Sequence, residues 1–485
     1  MGLRINTNID ALKSHRFLTN NDTKLSKSLE QLSSGLKINS AADGPASLVI
    51  SENMRAQISG LDQAISNNES AVSLVQTAEG ALTEVSRLLI DVRQRAVHAA
   101  NEGINDNAML DADQSEIEQA LAAVDRIAQT TQFGQKKLLD GSKSARGNAT
   151  GTGLEFVSAN TATQDSGDDG FEVKVSQLAS QATFTSGILN NDLIQSGETL
   201  TVREGGKVAT YTTNKTDTVQ GAIGAFAAAA KRSGLDVKIE ANDDGSMSIT
   251  HLNYGSENNF QVQSSSAGVL SQAANQELNV DNGLDIKGTI NGESAEGRGQ
   301  ILMGRRGNSI TDGLSVRYVG NPELPVDANE GTVVGKVNVK QNALKFQVGA
   351  NRGQLVSVNL LDTSSTQMAR GVRNESGFNA LADIDVRSSQ GAQDAILLVD
   401  KSIEELASNR GALGAFQRNT LESNLSSLRV ASENLAAAES SIRDVDMAEE
   451  LTAFTKNQIL TQSATAQLAQ ANAIPQNVLR LIERS

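Results

Sequence analysis

The 485-residue chain has no cysteine and no tryptophan, and it carries only 3 tyrosines, 11 phenylalanines and 4 prolines. Without cysteine there is no disulfide framework and no thiolate metal site, so stability rests on packing alone. An aromatic content of 3% leaves few large side chains for a thick core, and small side chains suit slender helix packing better. No apolar run is long enough to span a bilayer, and the first residues, Met1 to Asp10, lack the continuous apolar stretch of a secretory signal. The chain is therefore expected to be cytoplasmic or to leave by a route without a cleaved signal. Its net charge of −15 opposes attraction to nucleic acid or anionic lipid. Neither a nucleic-acid partner nor membrane insertion is expected. Length allows about two to four domains.

What is present is helical periodicity at both ends. Leu18, Leu25, Leu29, Leu32 and Leu36 share one face of a helix that Gly35 and the run Asn39 to Pro45 terminate. A longer helix is predicted over 46–100, with Val72, Val75, Ala78, Leu82, Val85, Leu89, Val92 and Ala96 in the three-four rhythm. Asp113 or Ser115 is expected to open a third, with Ile117, Leu121, Val124 and Ile127 on one face and Asp140-Gly141 at its close. Toward the other end, Leu421, Leu425, Leu428, Leu435, Ala438, Ile442 and Val445 form a seam over 390–443 that only Ser432 interrupts. A last amphipathic stretch runs through Leu451, Phe454, Ile459, Leu468, Ile474 and Val478, with a break near Pro475.

The middle, 150–340, is punctuated by Gly, Thr and Asp and reads as hairpins. Turns are expected at Gly205-Gly206, Asp243-Asp244-Gly245, Asn291-Gly292 and Asp312-Gly313, with one helix from Thr218 to Gly234. The fold class is thus mainly α: an elongated coiled-coil rod formed by the N- and C-terminal segments, with a central inserted α+β, mostly β, module.

Candidate chemistry is thin. His15, His98 and His251 lie in separate segments and read as surface histidines. The string Gly304 to Ser309 lacks the Gly-Lys-Ser/Thr ending of a phosphate loop, and Asp165 to Gly170 fails the EF-hand register, so one reads as a solvated hairpin and the other as an acidic turn. No catalytic residue, metal or cofactor is expected.

Longer words carry a resemblance. Arg4-Ile5-Asn6-Thr7-Asn8, Leu32 through Asp43, Ile442 through Glu450, Phe454 through Leu460, Ala469-Gln470-Ala471-Asn472 and Pro475 through Leu479 closely resemble bacterial flagellin, over both terminal segments. The family implies a secreted structural subunit of the extracellular flagellar filament used for swimming, exported unfolded and polymerising with copies of itself. It further implies an export chaperone, a cap and hook-associated proteins as partners. By resemblance, 1–43 and 448–485 are inner-tube helices, 44–147 and 342–447 the helical rod, with Phe346 through Gln354 matching a family motif, and 148–341 a surface-exposed β-rich insertion of one or two subdomains. Both termini are expected to stay disordered until neighbouring subunits cover their apolar seams. The polymerisation residues are then Leu18, Leu25, Leu29, Leu32, Leu36, Leu451, Phe454, Ile459, Leu468 and Val478. The insertion also resembles modules of flagellins and hook-associated proteins, from Glu198 through Val202 to Gly245 through Thr250.

One departure stands out. In flagellins sensed by the vertebrate Toll-like receptor for flagellin, an Arg precedes Val-Arg-Glu-Leu-Ala-Val, whereas here Asp91-Val92-Arg93-Gln94-Arg95-Ala96-Val97 occupies that stretch. Arg93 and Glu116 match, while Asp91 reverses a charge and Arg95 replaces an apolar contact, changes of a kind that remove ~2–4 kcal/mol at an interface hot spot. Weak receptor binding is the expectation, with Asp91 and Arg95 paired to each other along one helical face. Two other classes remain: a hook–filament junction protein, and an enzyme displayed on a flagellin scaffold.

Overall fold

The computed structural model describes the chain except residues 1–7, 322–323, 329 and 483–485, and it describes the side chains up to Ile474. The helices, in chain order, are α1 Ile9–Ser34, α2 Pro45–Ala99, α3 Asn107–Thr130, α4 Asn191–Ser196, α5 Val219–Arg232, α6 Ser389–Phe416, α7 Ser423–Arg443 and α8 Met447–Ile482. Among the described residues no helix is long and apolar enough to cross a membrane. The chain divides into two compact units, one of residues 1–76, 345–356 and 412–485, the other of 77–344 and 357–411.

In the first unit, Asn8 caps α1 by accepting from the Ala11 amide at 3.0 Å, and Gly35 ends it at φ 75°, the left-handed position that glycine occupies without a Cβ penalty. The predicted seam of α7 is buried or half-buried along its whole length, with Leu421 and Leu428 deepest, and Leu428 packs with Leu61 and Ala64 of α2. The helical run expected over 390–443 continues through Ser432, the one polar position of the seam, which is half-buried. It changes to π-helical winding over Gln417–Glu422, where the Gln417 amide reaches the Glu422 carboxylate five residues on at 2.8 Å, the spacing that a π turn brings together. Nor does α8 break near Pro475; it continues to Ile482, since a proline inside a helix removes one backbone hydrogen bond and can be carried as a local defect.

In the second unit, Val85, Leu89, Val92 and Ala96 of α2 and Ile117 and Val124 of α3 are fully buried, as their periodicity predicts. The third helix opens earlier than expected. Asp106 accepts from Met109 N at 2.8 Å and caps it, so Asp113 and Ser115 lie inside. It also closes at Thr130 rather than at Asp140-Gly141, because Thr131 turns to an extended backbone and Gln132–Phe133 pairs with Lys136–Lys137 across Gly134.

The insertion contains two cores. An antiparallel sheet runs in the order Ala145–Thr150, Thr332–Gln341, Phe171–Gln177, Lys287–Ile290, Glu293–Arg298, Ile301–Gly304, Ser315–Tyr318 and Leu154–Ser158, over Phe171, Val173, Ile290, Leu302, Val316 and Val337. The second core joins the sheet of Leu278–Asn279, Gln261–Ser264, Thr199–Glu204 and Lys207–Thr212 to that of Gln181–Thr185, Met247–Tyr254 and Val237–Ala241, with Phe226 of α5 at its centre. The hairpins at Gly205-Gly206, Asp243 to Gly245 and Asn291-Gly292 stand where the turn residues predict. Thr218 caps α5 by accepting from Gly221 N.

Candidate assembly surface

Helices α1 and α8 pack against each other and run antiparallel: the Asn8 side chain donates to the Ala471 carbonyl at 2.8 Å, and Asn457 lies 3.5 Å from the Ser28 hydroxyl. The connections beyond them are joined as well. Lys37 N donates to Arg443 O at 2.7 Å and Val445 N to Gly35 O at 3.0 Å, a short antiparallel bridge. Asp43 fixes the turn after α1 by accepting from Lys27 at 2.8 Å and from Ser40 at 2.9 Å, and the Lys27 ammonium holds its carboxyl far below the usual range.

Of the residues assigned to polymerisation, Leu18, Leu25, Leu32, Leu36, Phe454 and Leu468 are half-buried, whereas Leu29, Leu451 and Ile459 are exposed. Val478 lies outside the described side chains. Leu12, Phe17 and Leu460 are exposed too, at 63%, 55% and 40%. A one-face reading of the heptads missed them because these helices are apolar on a second face, which no single stripe reveals.

On α2, Asp91 and Arg95 do not pair. Arg87 takes Asp91 at 3.0 Å, and Arg95 reaches across to Glu116 on α3 at 2.6 Å, with Asp113 at 4.0 Å. Helix α3 thus offers Arg95 two carboxylates in place of the one a turn back on its own helix. Arg93 binds Asp400 of α6 at 2.5 Å, which raises its pKa through that hydrogen bond. The structure thus joins Arg95 with Glu116 and leaves Asp91 and Arg93 to other partners.

Among the described residues no group of His, Asp or Glu is arranged to bind a metal. His15 is exposed, and His98 lies 2.6 Å from Asp113. His251, expected at the surface, is instead buried in the insertion, 2.9 Å from Glu204. The strand alternation that carries Met247 and Ile249 inward carries His251 with them, and Glu204 supplies the partner that burial demands. The loop after Gly304 already holds an anion of its own: Glu293 accepts from the amides of Ser309, Ile310 and Thr311 at 2.9, 3.3 and 2.9 Å and from the Thr311 hydroxyl at 2.7 Å. The Thr311 hydroxyl and these amides lower its pKa.

Among solved structures, FliC from Burkholderia pseudomallei is 16% identical with a TM-score of 0.24, covering 71% of this chain and 98% of that one. Hook-associated protein-3 from Legionella pneumophila is 13% identical with a TM-score of 0.31, covering 81% and 98%. The model of the bacterial flagellin N-terminal helical region matches residues 5–144, and that of the bacterial flagellin C-terminal helical region matches 396–482. The B-type flagellin of Pseudomonas aeruginosa is 31% identical over 495 residues, covering 99% of this chain and all of that protein. A flagellin of Clostridium tyrobutyricum is 33% identical over 471 residues, covering 96% of this chain and 98% of that protein. The chain belongs to the flagellin family and is a self-polymerising subunit of the bacterial flagellar filament.

Proposed function

We propose that this flagellin acts outside the cell as a purely structural subunit, without catalytic activity or cofactor, and that α1 and α8 carry its polymerisation. The observation that carries this reading is the second apolar face. After α1 and α8 have packed on each other, Leu12, Phe17, Leu29, Leu451 and Ile459 still face solvent, and apolar surface of that kind marks a contact with another chain. In this assignment 1–43 and 448–485 form the inner tube, 44–147 and 342–447 the rod, and 148–341 an outward decoration. An export chaperone, the cap and the hook-associated proteins are its transient partners. Binding to the Toll-like receptor for flagellin is weak, because Arg95 is committed to Glu116 and Asp91 to Arg87.

Electron microscopy of the purified chain under polymerising conditions tests the reading. Long filaments grown from the chain alone are expected. Failure to propagate, with short end-capping assemblies only, would favour a junction role instead.

A further inference from the structure

Two Asn-Gly pairs occur in the insertion, and the fold treats them differently. Asn291-Gly292 is the two-residue tip of the hairpin between Lys287–Ile290 and Glu293–Arg298, with φ of 53° and 76°, as a type I′ turn requires. The Asn291 side chain is exposed and, among the described residues, makes no hydrogen bond. Its own amide is anchored to Glu172 O at 2.7 Å, while the Gly292 amide donates to no backbone acceptor among the described residues. A Cβ at Gly292 would meet nothing within 4 Å.

Such a tip can flip its central peptide. Rotation of the Asn291-Gly292 plane converts type I′ into type II′, which keeps φ of the first residue positive but carries its ψ to about −120° and needs no movement of the flanking strands. In that state the Gly292 nitrogen faces the side-chain carbonyl carbon of Asn291. Asn282-Gly283 has no such freedom: the Asn282 amide donates to Ser256 O at 3.0 Å, and a Cβ at Gly283 would lie 2.2 Å from Ser180 O and 2.9 Å from Gly255 O. Asn308, in the loop nearby, is likewise held by Ser294 O and the Thr311 hydroxyl, both at 2.9 Å.

We propose that Asn291 is a site of spontaneous covalent modification, in which the insertion converts this one asparagine to aspartate and isoaspartate. Solvent hydroxide removes the Gly292 amide proton, and the nitrogen attacks Cγ of Asn291. The new C–N bond closes a succinimide as the Cγ–NH2 bond breaks and ammonia leaves with a proton from water. A water molecule then opens either imide carbonyl, so that asparagine plus water gives aspartate or isoaspartate plus ammonia, with no oxidant or reductant. The product carries a new negative charge beside Glu293. Where isoaspartate forms, the main chain gains a methylene two residues before Glu293, the carboxylate that anchors the loop of Ser309 to Thr311.

The full chain is incubated as folded protein at mildly alkaline and mildly acidic pH, and separately in denaturant, and each Asn-Gly peptide is followed by mass spectrometry. In the folded chain Asn291 is expected to convert faster than Asn282 by roughly tenfold or more, the ratio produced when the reactive conformation costs ~1.4 kcal/mol more at Asn282. Denaturant should bring the two rates together, and Asn291→Gln should abolish the gain at that peptide. Equal rates in the folded chain, or an Asn291 that stays intact while the denatured chain reacts, would overturn the proposal.

Discussion

Asn68 and Asn424 donate their side-chain amides to the same acceptor, the carbonyl oxygen of Val348, at 3.2 and 2.6 Å. One residue comes from α2 and the other from α7, and the carbonyl belongs to the segment 345–356, so both lone pairs of a single oxygen tie that segment to two helices. Asn67 adds a bond to Gln347 O at 3.2 Å, and Gly60 lets Ala350 sit close, with only 3.1 Å available for a Cβ.

Replacing Asn424 with alanine removes the shorter bond while leaving the carbonyl to Asn68, so a loss of about 0.5–1.5 kcal/mol is expected. The double change Asn68→Ala with Asn424→Ala strands the carbonyl and should cost about 1–3 kcal/mol more. Hydrogen exchange over 345–356 reads this directly. Unchanged protection in the double variant would show that the segment is held by something else.

Phe226 fills the centre of the second core of the insertion at 0% exposure. Its replacement by alanine should destabilise that core by ~3–5 kcal/mol, while filaments still form. Loss of polymer from a chain whose rod is folded would assign the insertion an essential contact.

Acidification should loosen one loop before others. The Glu293 carboxyl titrates in the folded chain below its ordinary value of 4.5 because the Thr311 hydroxyl and three amides favour the charged form. Its stabilisation is present above that ordinary value and is lost as pH falls through the lowered one. Protection of the Ser309 to Thr311 amides, relative to their intrinsic exchange rates, should therefore fall as pH is taken below that ordinary value, and Glu293→Gln should remove this loss. Glu405 behaves oppositely: burial raises its pKa, so stability falls as pH rises through the raised value, and Glu405→Gln should stabilise the fold at neutral pH.

The rod offers a test of receptor binding. Arg95→Leu removes an exposed pair with Glu116, worth about 0–1 kcal/mol, and Asp91→Arg leaves Arg87 paired with Glu84 at 2.6 Å. The double variant should fold normally and signal more strongly in reporter cells. No gain would separate these two residues from receptor contact.

Much of this was legible in the sequence because helical seams and turn residues act locally. Val85, Leu89 and Val92 had to be buried together, and Gly205-Gly206 had to turn. What stayed hidden depends on partners distant in sequence. Arg95 could be placed four residues from Asp91, but no spacing rule announces that Glu116 on another helix lies closer. His251 followed the alternation of its strand inward, and only the fold brings Glu204 to it. The exposed apolar face of α1 and α8 was half visible: the seam residues were found, while Leu12, Phe17 and Leu460 lie off the stripe.

Removing residues 448–485 tests the assembly account most directly, because α8 supplies Leu451, Phe454, Ile459 and Leu468 and is the helix against which α1 packs. Electron microscopy and sedimentation of the truncated chain should show a soluble monomer and no polymer. Filaments of normal length and diameter would contradict the assignment of polymerisation to the terminal helices.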